Sequence, residues 1–216
     1  MSVEDAYDAV SELYTAKFLN EIDSDTQSLR WLRQFAELAA TEGRLIVDMG
    51  CGPGSTVNHL TTLGLNVEGI DLSTGQVEQA RLAYPELSFA VGDMTSLEFA
   101  ESSLAGVVSR HSIIHIKPSA IGQVLREWQR VLSNGAPIFL SFFGSRSVDA
   151  HGTAFDHKVC TAYELFPATI VDALNEAGYV NIQVEAVPIA KGGRPFDHTT
   201  ILAQAGERRA EPAKSL

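Results

Sequence analysis

Apolar positions along this chain recur with two alternating periods. Near the start, Ala6, Val10, Leu13 and Tyr14 fall on one side of a helix expected over residues 3–20. Leu29, Leu32, Phe35, Leu38 and Ala39 do the same for a helix over 26–40, with Ser24 or Asp25 as its cap. Leu45, Ile46 and Val47 then form a short β-rich run suited to a strand buried on both faces, ended by the charge of Asp48. Helical spacing returns after Ser55 or Thr56, at Val57, Leu60 and Leu63. A second strand over 66–70 ends at Asp71, and Ser73 with Gln76 makes a capping-box pair for a helix stopped by Pro85. Strands at 87–91, 105–109 and 137–143 continue the alternation. A helix over 118–132 starts on Pro118 and carries Ile121, Val124, Leu125, Trp128 and Leu132. Gly135 suits the left-handed stop behind that helix. Strands alternating with helices predict an α/β fold, a doubly wound sheet covered on both faces.

Beyond Gly144 the pattern weakens. Residues 144–161 show no clear period and are long for a connection, as functional lids often are. Residues 180–190 and 198–205 alternate as two strands around Lys191, Gly192, Gly193, Arg194 and Pro195, a hairpin with a glycine-rich turn. The charged, apolar-poor tail over 207–216 is expected to be disordered. The expectation is one domain over 1–206, with a helical cap over 1–42 and a core over 43–206.

Charge narrows the partners. The net charge of −11 argues against nonspecific binding to nucleic acid or anionic lipid and favours a small or cationic substrate. No signal-like start and no apolar run of roughly 18 residues is present, so a cytoplasmic protein is expected. The two cysteines, Cys51 and Cys160, are too few for a disulfide framework. His111 and His115 stand four apart, but the Ser-Ile-Ile between them lacks the glutamate of a metalloprotease helix, and no metal is expected.

The chemistry concentrates after the first strand. Gly50, Gly52 and Gly54 stand at alternate positions, which lets the backbone turn sharply and a ligand approach closely. A dinucleotide fingerprint reads G-x-G-x-x-G; here the third glycine comes one residue early. Asp71, about twenty residues on, stands where a Rossmann-type fold places an acid for ribose hydroxyls.

Asp48-Met49-Gly50-Cys51-Gly52-Pro53-Gly54 resembles the first motif of the class I, Rossmann-like S-adenosylmethionine-dependent methyltransferases that act on small molecules. The resemblance extends from Leu45 to Ala205 and is strongest over the first four strands. It implies a seven-stranded, mostly parallel sheet of order 3-2-1-4-5-7-6 with an antiparallel closing hairpin, and a last helix over 161–177. It implies S-adenosylmethionine as cofactor. Asp48, Gly50, Cys51, Gly52 and Gly54 match its glycine turn, and Asp71 with Leu72 its ribose acid. Gly92, Asp93 and Met94 match its adenine segment. Arg110 and His111 follow the fourth strand, where the family faces the transferred methyl. His111 is the first candidate for a base that takes a proton from the acceptor, with His115 more a packing residue and His157 and His151 in reserve. The N-terminal segment covers the cofactor in this family, which makes Tyr14 a cofactor contact and Tyr7 a substrate contact, with His151, His157 and Tyr163 also on the substrate side.

The expected activity is therefore methyl transfer to an O, N or S atom of a small molecule. Two other readings stand beside it. A nicotinamide-dependent oxidoreductase would share the fold, but the glycine spacing is wrong and no tyrosine has a lysine four residues on. A protein that binds the cofactor without chemistry is permitted, because function lives in the site. The absence of a Pro-Pro pair after the fourth strand and of a Pro-Cys dipeptide sets the chain apart from the DNA-methylating enzymes.

Overall fold

A computed structural model describes residues 1–39, 43–189 and 196–207. The hairpin turn expected at 191–195 and nearly all of the expected tail lie outside the described residues.

The chain opens with helices α1 (Val3–Asp8), α2 (Ser11–Phe18) and α3 (Thr26–Ala39), separated by a short 3₁₀ turn before α3. The alternating core follows: β1 (Ile46–Met49), α4 (Ser55–Thr62), β2 (Val67–Asp71), α5 (Thr74–Ala83), β3 (Ser88–Val91), β4 (Gly106–Arg110), α6 (Pro118–Val131) and β5 (Pro137–Ser145). A small hairpin, β6 (Ala154–Asp156) with β7 (Thr161–Tyr163), precedes α7 (Pro167–Glu176), β8 (Tyr179–Pro188) and β9 (Phe196–Ala205).

The main sheet runs β3-β2-β1-β4-β5-β9-β8. Numbered within that sheet this is the expected 3-2-1-4-5-7-6. Strands β1 to β5 pair in parallel, and β9 lies antiparallel between β5 and β8. Each central strand feeds both faces by its period of two. Ile138, Leu140 and Phe142 pack with Leu125, Trp128 and Leu174 on the side of α6 and α7. Phe139 and Leu202 pack with Leu32, Phe35, Val57 and Val77 on the side of α3, α4 and α5. Burial on both faces explains why these strands read as continuous apolar runs.

Three expected elements are corrected. The single helix over 3–20 breaks at Ala9 and Val10 into α1 and α2. The break seats Asp8 on the start of α5, where its Oδ1 accepts from the Ser73 hydroxyl at 2.5 Å and the Gly75 amide at 2.8 Å. The aperiodic stretch after Gly144 is partly regular: β5 continues to Ser145, and β6 and β7 form their own hairpin. The last helix starts at Pro167 rather than at 161, because a proline holds its predecessor extended and opens a helix at its first position. Among the described residues no helix is long and apolar enough to cross a membrane.

Candidate active site

The turn after β1 forms one wall of a cleft at the carboxyl edge of the sheet. The amides of Gly50 and Cys51 both donate to the Ile70 carbonyl, at 2.7 and 3.1 Å, which folds the turn back over β2. Gly50 has φ +73°, and a Cβ there would lie 2.4 Å from the Ser112 Cβ, so only glycine fits. At Gly52, φ +53°, a Cβ would point between the Gln76 amide oxygen and the Tyr14 ring, each 3.9 Å away. That space belongs to the cleft.

Asp71 ends β2 and ties the wall together. Its Oδ2 accepts from the Gly52 amide at 2.8 Å and its Oδ1 from the Ser73 amide at 2.9 Å. Burial raises its pKa, opposed by those amides. Each oxygen keeps further accepting capacity.

Tyr7, Tyr14, Gly50, Gly52, Asp71, Leu72, Gly92, Asp93, Met94, Arg110, His111 and His115 line this one cleft, as do Val3, Gln76, Ser112 and Ile116. Asp48, Cys51 and Gly54 lie outside the lining. Asp48 is buried, its Oδ1 has no hydrogen-bond partner among the described residues, and burial pushes its pKa up to about 7. Cys51 packs into the turn as a thiol whose pKa burial drives well up. Gly54 lies against Phe89.

The histidines part company. His111 takes φ +57° directly after β4 and hydrogen-bonds the Ser141 carbonyl through its amide at 2.8 Å. Its ring lies 4.7 Å from Phe143 and stacks on His198 at 5.1 Å. Burial, with Arg110 and His198 beside it, holds its pKa well below the usual range, and its buried Nδ1 has no hydrogen-bond partner among the described residues. A neutral ring with a free ring nitrogen is the result. His115 is engaged at both nitrogens. A carbonyl only accepts, so Nδ1 donates to Thr161 at 3.0 Å, and Nε2 accepts from the Tyr7 hydroxyl at 2.9 Å. It thereby fastens α1 over the cleft.

Asp25 joins this group from the start of α3. It caps that helix through the Ser28 amide at 3.0 Å and pairs with Arg110 at 3.2 Å. Ligand-type atoms of Asp25, His111 and His198 lie within 4.8 Å of one another. Arg110 already supplies the positive charge on that carboxylate. Asp25, Gln76, Ser112 and His198 carried no site signal in the sequence: Gln76 read only as a capping residue, and no spacing rule links positions so far apart.

His151 accepts from the Phe166 amide at 3.0 Å, bracing the start of α7, and Tyr163 pairs with Ala154 in the small hairpin; neither lines the cleft. His157, 5.3 Å from the His115 ring, borders a second chamber of about 440 Å³. Val10 and, on α2, Leu13, Tyr14, Lys17 and Phe18 line it together with Phe143, Lys158, Val159, Ile189 and Phe196. Tyr14 divides this chamber from the cleft.

Known proteins share these features. Residues 46–135 match the family model described as a methyltransferase domain. The chain is similar to the demethylmenaquinone methyltransferase of Beutenbergia cavernae, 29% identical over 140 residues, covering 64% of this chain and 57% of that protein. It is also similar to an O-methyltransferase of Pyrenophora dematioidea, 33% identical over 118 residues, covering 46% and 44%. The chain thus spans about half the length of the curated relatives it matches. A solved phosphoethanolamine N-methyltransferase 2 of Haemonchus contortus, holding phosphomonomethylethanolamine and S-adenosylhomocysteine, superposes with a TM-score of 0.72 at 20% identity, over 96% of this chain and 61% of that one. The matched segment, the strand order and the glycine turn agree: residues 46–135 are similar to a methyltransferase domain, and the sheet has the strand order of a Rossmann-like methyltransferase fold.

Proposed function

We propose that this protein methylates an O, N or S atom of a small molecule using S-adenosylmethionine bound in the cleft. One observation carries the reading: a carboxylate at the end of β2 and a glycine turn bare of side chains face the same cleft, whose wall Tyr14 it shares with a second chamber. The residues fit the cofactor. Gln76 is only 1% exposed, yet neither its side-chain oxygen nor its side-chain nitrogen has a partner among the described residues, so a polar ligand in the cleft answers an otherwise costly burial.

When bound, the cofactor supplies an electrophilic methyl group on a sulfonium. Asp71 would accept from its ribose hydroxyls, Leu72 and Met94 would flank its base with Gly92 and Asp93 at the base edge, and Gly50 and Gly52 would let its amino-acid portion approach the backbone. Cys51 and Gly54 shape the turn from behind, and Asp48 with Arg110 sets its charge balance. His111 takes the acceptor's proton where there is one, because its ring is neutral at pH 7. Its low basicity suits an acceptor whose own proton is acidic. His115 positions α1, and His157 borders the acceptor chamber. The net charge of −11 supports a small acceptor over nucleic acid.

The test is S-adenosylhomocysteine release with a panel of small hydroxyl, amine, thiol and carboxylate compounds, then single turnover with the best. His111→Ala is expected to lose about 10²–10⁴ in rate with little change in S-adenosylhomocysteine affinity. A nearly full rate in that variant removes His111 as base. Tight NAD binding by the parent would overturn the cofactor assignment.

A further inference from the structure

The second chamber has a chemistry that the methyl-transfer reading does not require. Along α2, Leu13, Tyr14, Lys17 and Phe18 fall at the helical spacing that makes one face, and that face, with Val10 just before the helix, lines the chamber. Leu13 is 74% exposed and Ile189, across the chamber, 40%, so apolar surface is left facing water here. The far end is closed by Phe196, 4% exposed, and by Phe143, whose ring lies 4.7 Å from His111. The Phe143 ring thus stands between the chamber and the imidazole that lines the cleft.

Charge distinguishes this cavity from the rest of the molecule. Acidic residues outnumber basic ones 27 to 16 in the chain, yet no Asp or Glu is among the described residues lining the chamber. Two of the chain's five lysines, Lys17 and Lys158, stand on it instead. Both are held in place. The Lys17 ammonium lies 4.9 Å from the centroid of the Phe18 ring. Lys158 sits in a tight turn at φ +78°, its amide donating to Asp156 Oδ1 at 2.7 Å, so that carboxylate is committed to the turn. Neither ammonium makes an ion pair among the described residues. Both lysines are exposed, while Phe196 is buried and Phe143 half-buried. This gradient puts the positive charges at the mouth and the apolar lining inside.

We infer that the chamber selects a small acceptor with an apolar, ring-sized body and one anionic group, the anion held at the mouth by Lys17 and Lys158 and the body lying against Phe143 and Phe196. That the occupant is the methyl acceptor rests on the function proposed above; the anion preference is a property of the chamber alone. A volume of about 440 Å³ lies within the range of small-molecule sites, roughly 300–1,000 Å³. An anionic guest supplies a counter-charge to two exposed ammonium groups, which a neutral guest does not.

The experiment uses the full chain and a matched pair of probes, 2-naphthoate and its neutral isostere 2-naphthamide, titrated by calorimetry at low salt with and without S-adenosylhomocysteine. Naphthoate is expected to bind about tenfold or more tightly than naphthamide, with the gap narrowing in 0.5 M salt. In the Lys17→Gln/Lys158→Gln double variant the gap should close to about twofold or less, with naphthamide affinity unchanged. Equal binding of the two probes by the parent, binding of neither, or a gap that survives in the variant would overturn the inference. S-adenosylhomocysteine titrated alone separates the two readings. If it fails to bind, the methyltransferase assignment fails, whatever the probes do; if it binds and the probes show no preference, only the chamber's specificity is lost.

Discussion

The cleft and the second chamber meet at Tyr14, but they are assembled in opposite ways. The cleft is built largely from the edges of successive β-α units: the turn after β1, Asp71 after β2, Gly92 to Met94 after β3, and Arg110 to His115 after β4. Its positions follow from parallel pairing, since each strand must deliver its carboxyl end to the same edge. The chamber draws on α2, the end of β5, the turn between β6 and β7, and the facing ends of β8 and β9. Those pieces are far apart in sequence: β5, β9 and β8 meet through the sheet, and α2 and the β6–β7 turn complete the lining. A site made of backbone turns tolerates little change, whereas one made of side chains on exposed elements is free to vary its guest.

That contrast is broken most severely at Gly52. Gly52→Val places a β-branched residue at φ +53° and its side chain between Gln76 and Tyr14. S-adenosylhomocysteine affinity should fall more than about a hundredfold, while naphthoate binding in the chamber is retained. Loss of both would mean the two cavities are one site. Asp71→Ala comes next. It removes charge-assisted hydrogen bonds worth roughly 1.5–3 kcal/mol, a ten- to hundredfold loss of cofactor affinity by calorimetry. Part of that loss arises through the Gly52 amide, which Asp71 also holds.

A third test uses pH. Burial lowers the pKa of His111, His115 and His198. Below about pH 6.5 the unfolded chain therefore binds protons that the fold refuses, so stability falls as pH falls, at up to about 1.4 kcal/mol per pH unit for each histidine still neutral in the fold. Asp48 acts in the opposite sense. With its pKa pushed up to about 7, the fold keeps a proton between pH 4 and 7 that the unfolded chain releases, and stability drops as pH rises through that window. Urea denaturation of Asp48→Asn should thus show a steeper loss on acidification than the parent. An identical profile would mean Asp48 is ionised in the fold.

The smallest effect is expected at the seam. Tyr7→Phe removes one hydrogen bond to His115, about 0.5–1.5 kcal/mol, and should speed amide exchange in α1 while leaving the core strands protected. Faster exchange in β1 and β4 as well would show that α1 is part of the core rather than a cover over it.

Much of the cleft was legible because its signals are local. The glycine turn, the Asp71 position and the Ser73 cap each depend on neighbours within a few residues, and the structure has the Gln76 amide donating to Ser73 Oγ at 3.1 Å. The short hairpin of β6 and β7 was not legible, since three-residue strands carry no period. The break between α1 and α2 was hidden because Ala6 and Val10 keep helical spacing across it. Of Ser24 and Asp25, both offered as caps by the sequence, Asp25 accepts from the Ser28 amide, but its pairing with Arg110 is a tertiary fact.

The sequence by itself determined the alternation of strands and helices, the sheet edge on which the cleft lies, and the glycine positions that leave room there. These follow from backbone sterics and from periods of 2 and 3.6, which act over short stretches of chain. Only the tertiary structure decided which histidine stays free and which one fastens α1, that His198 stacks on His111, and that two lysines share one apolar chamber. Desolvation and side-chain contact depend on the packing of distant segments, so no window along the chain contains them.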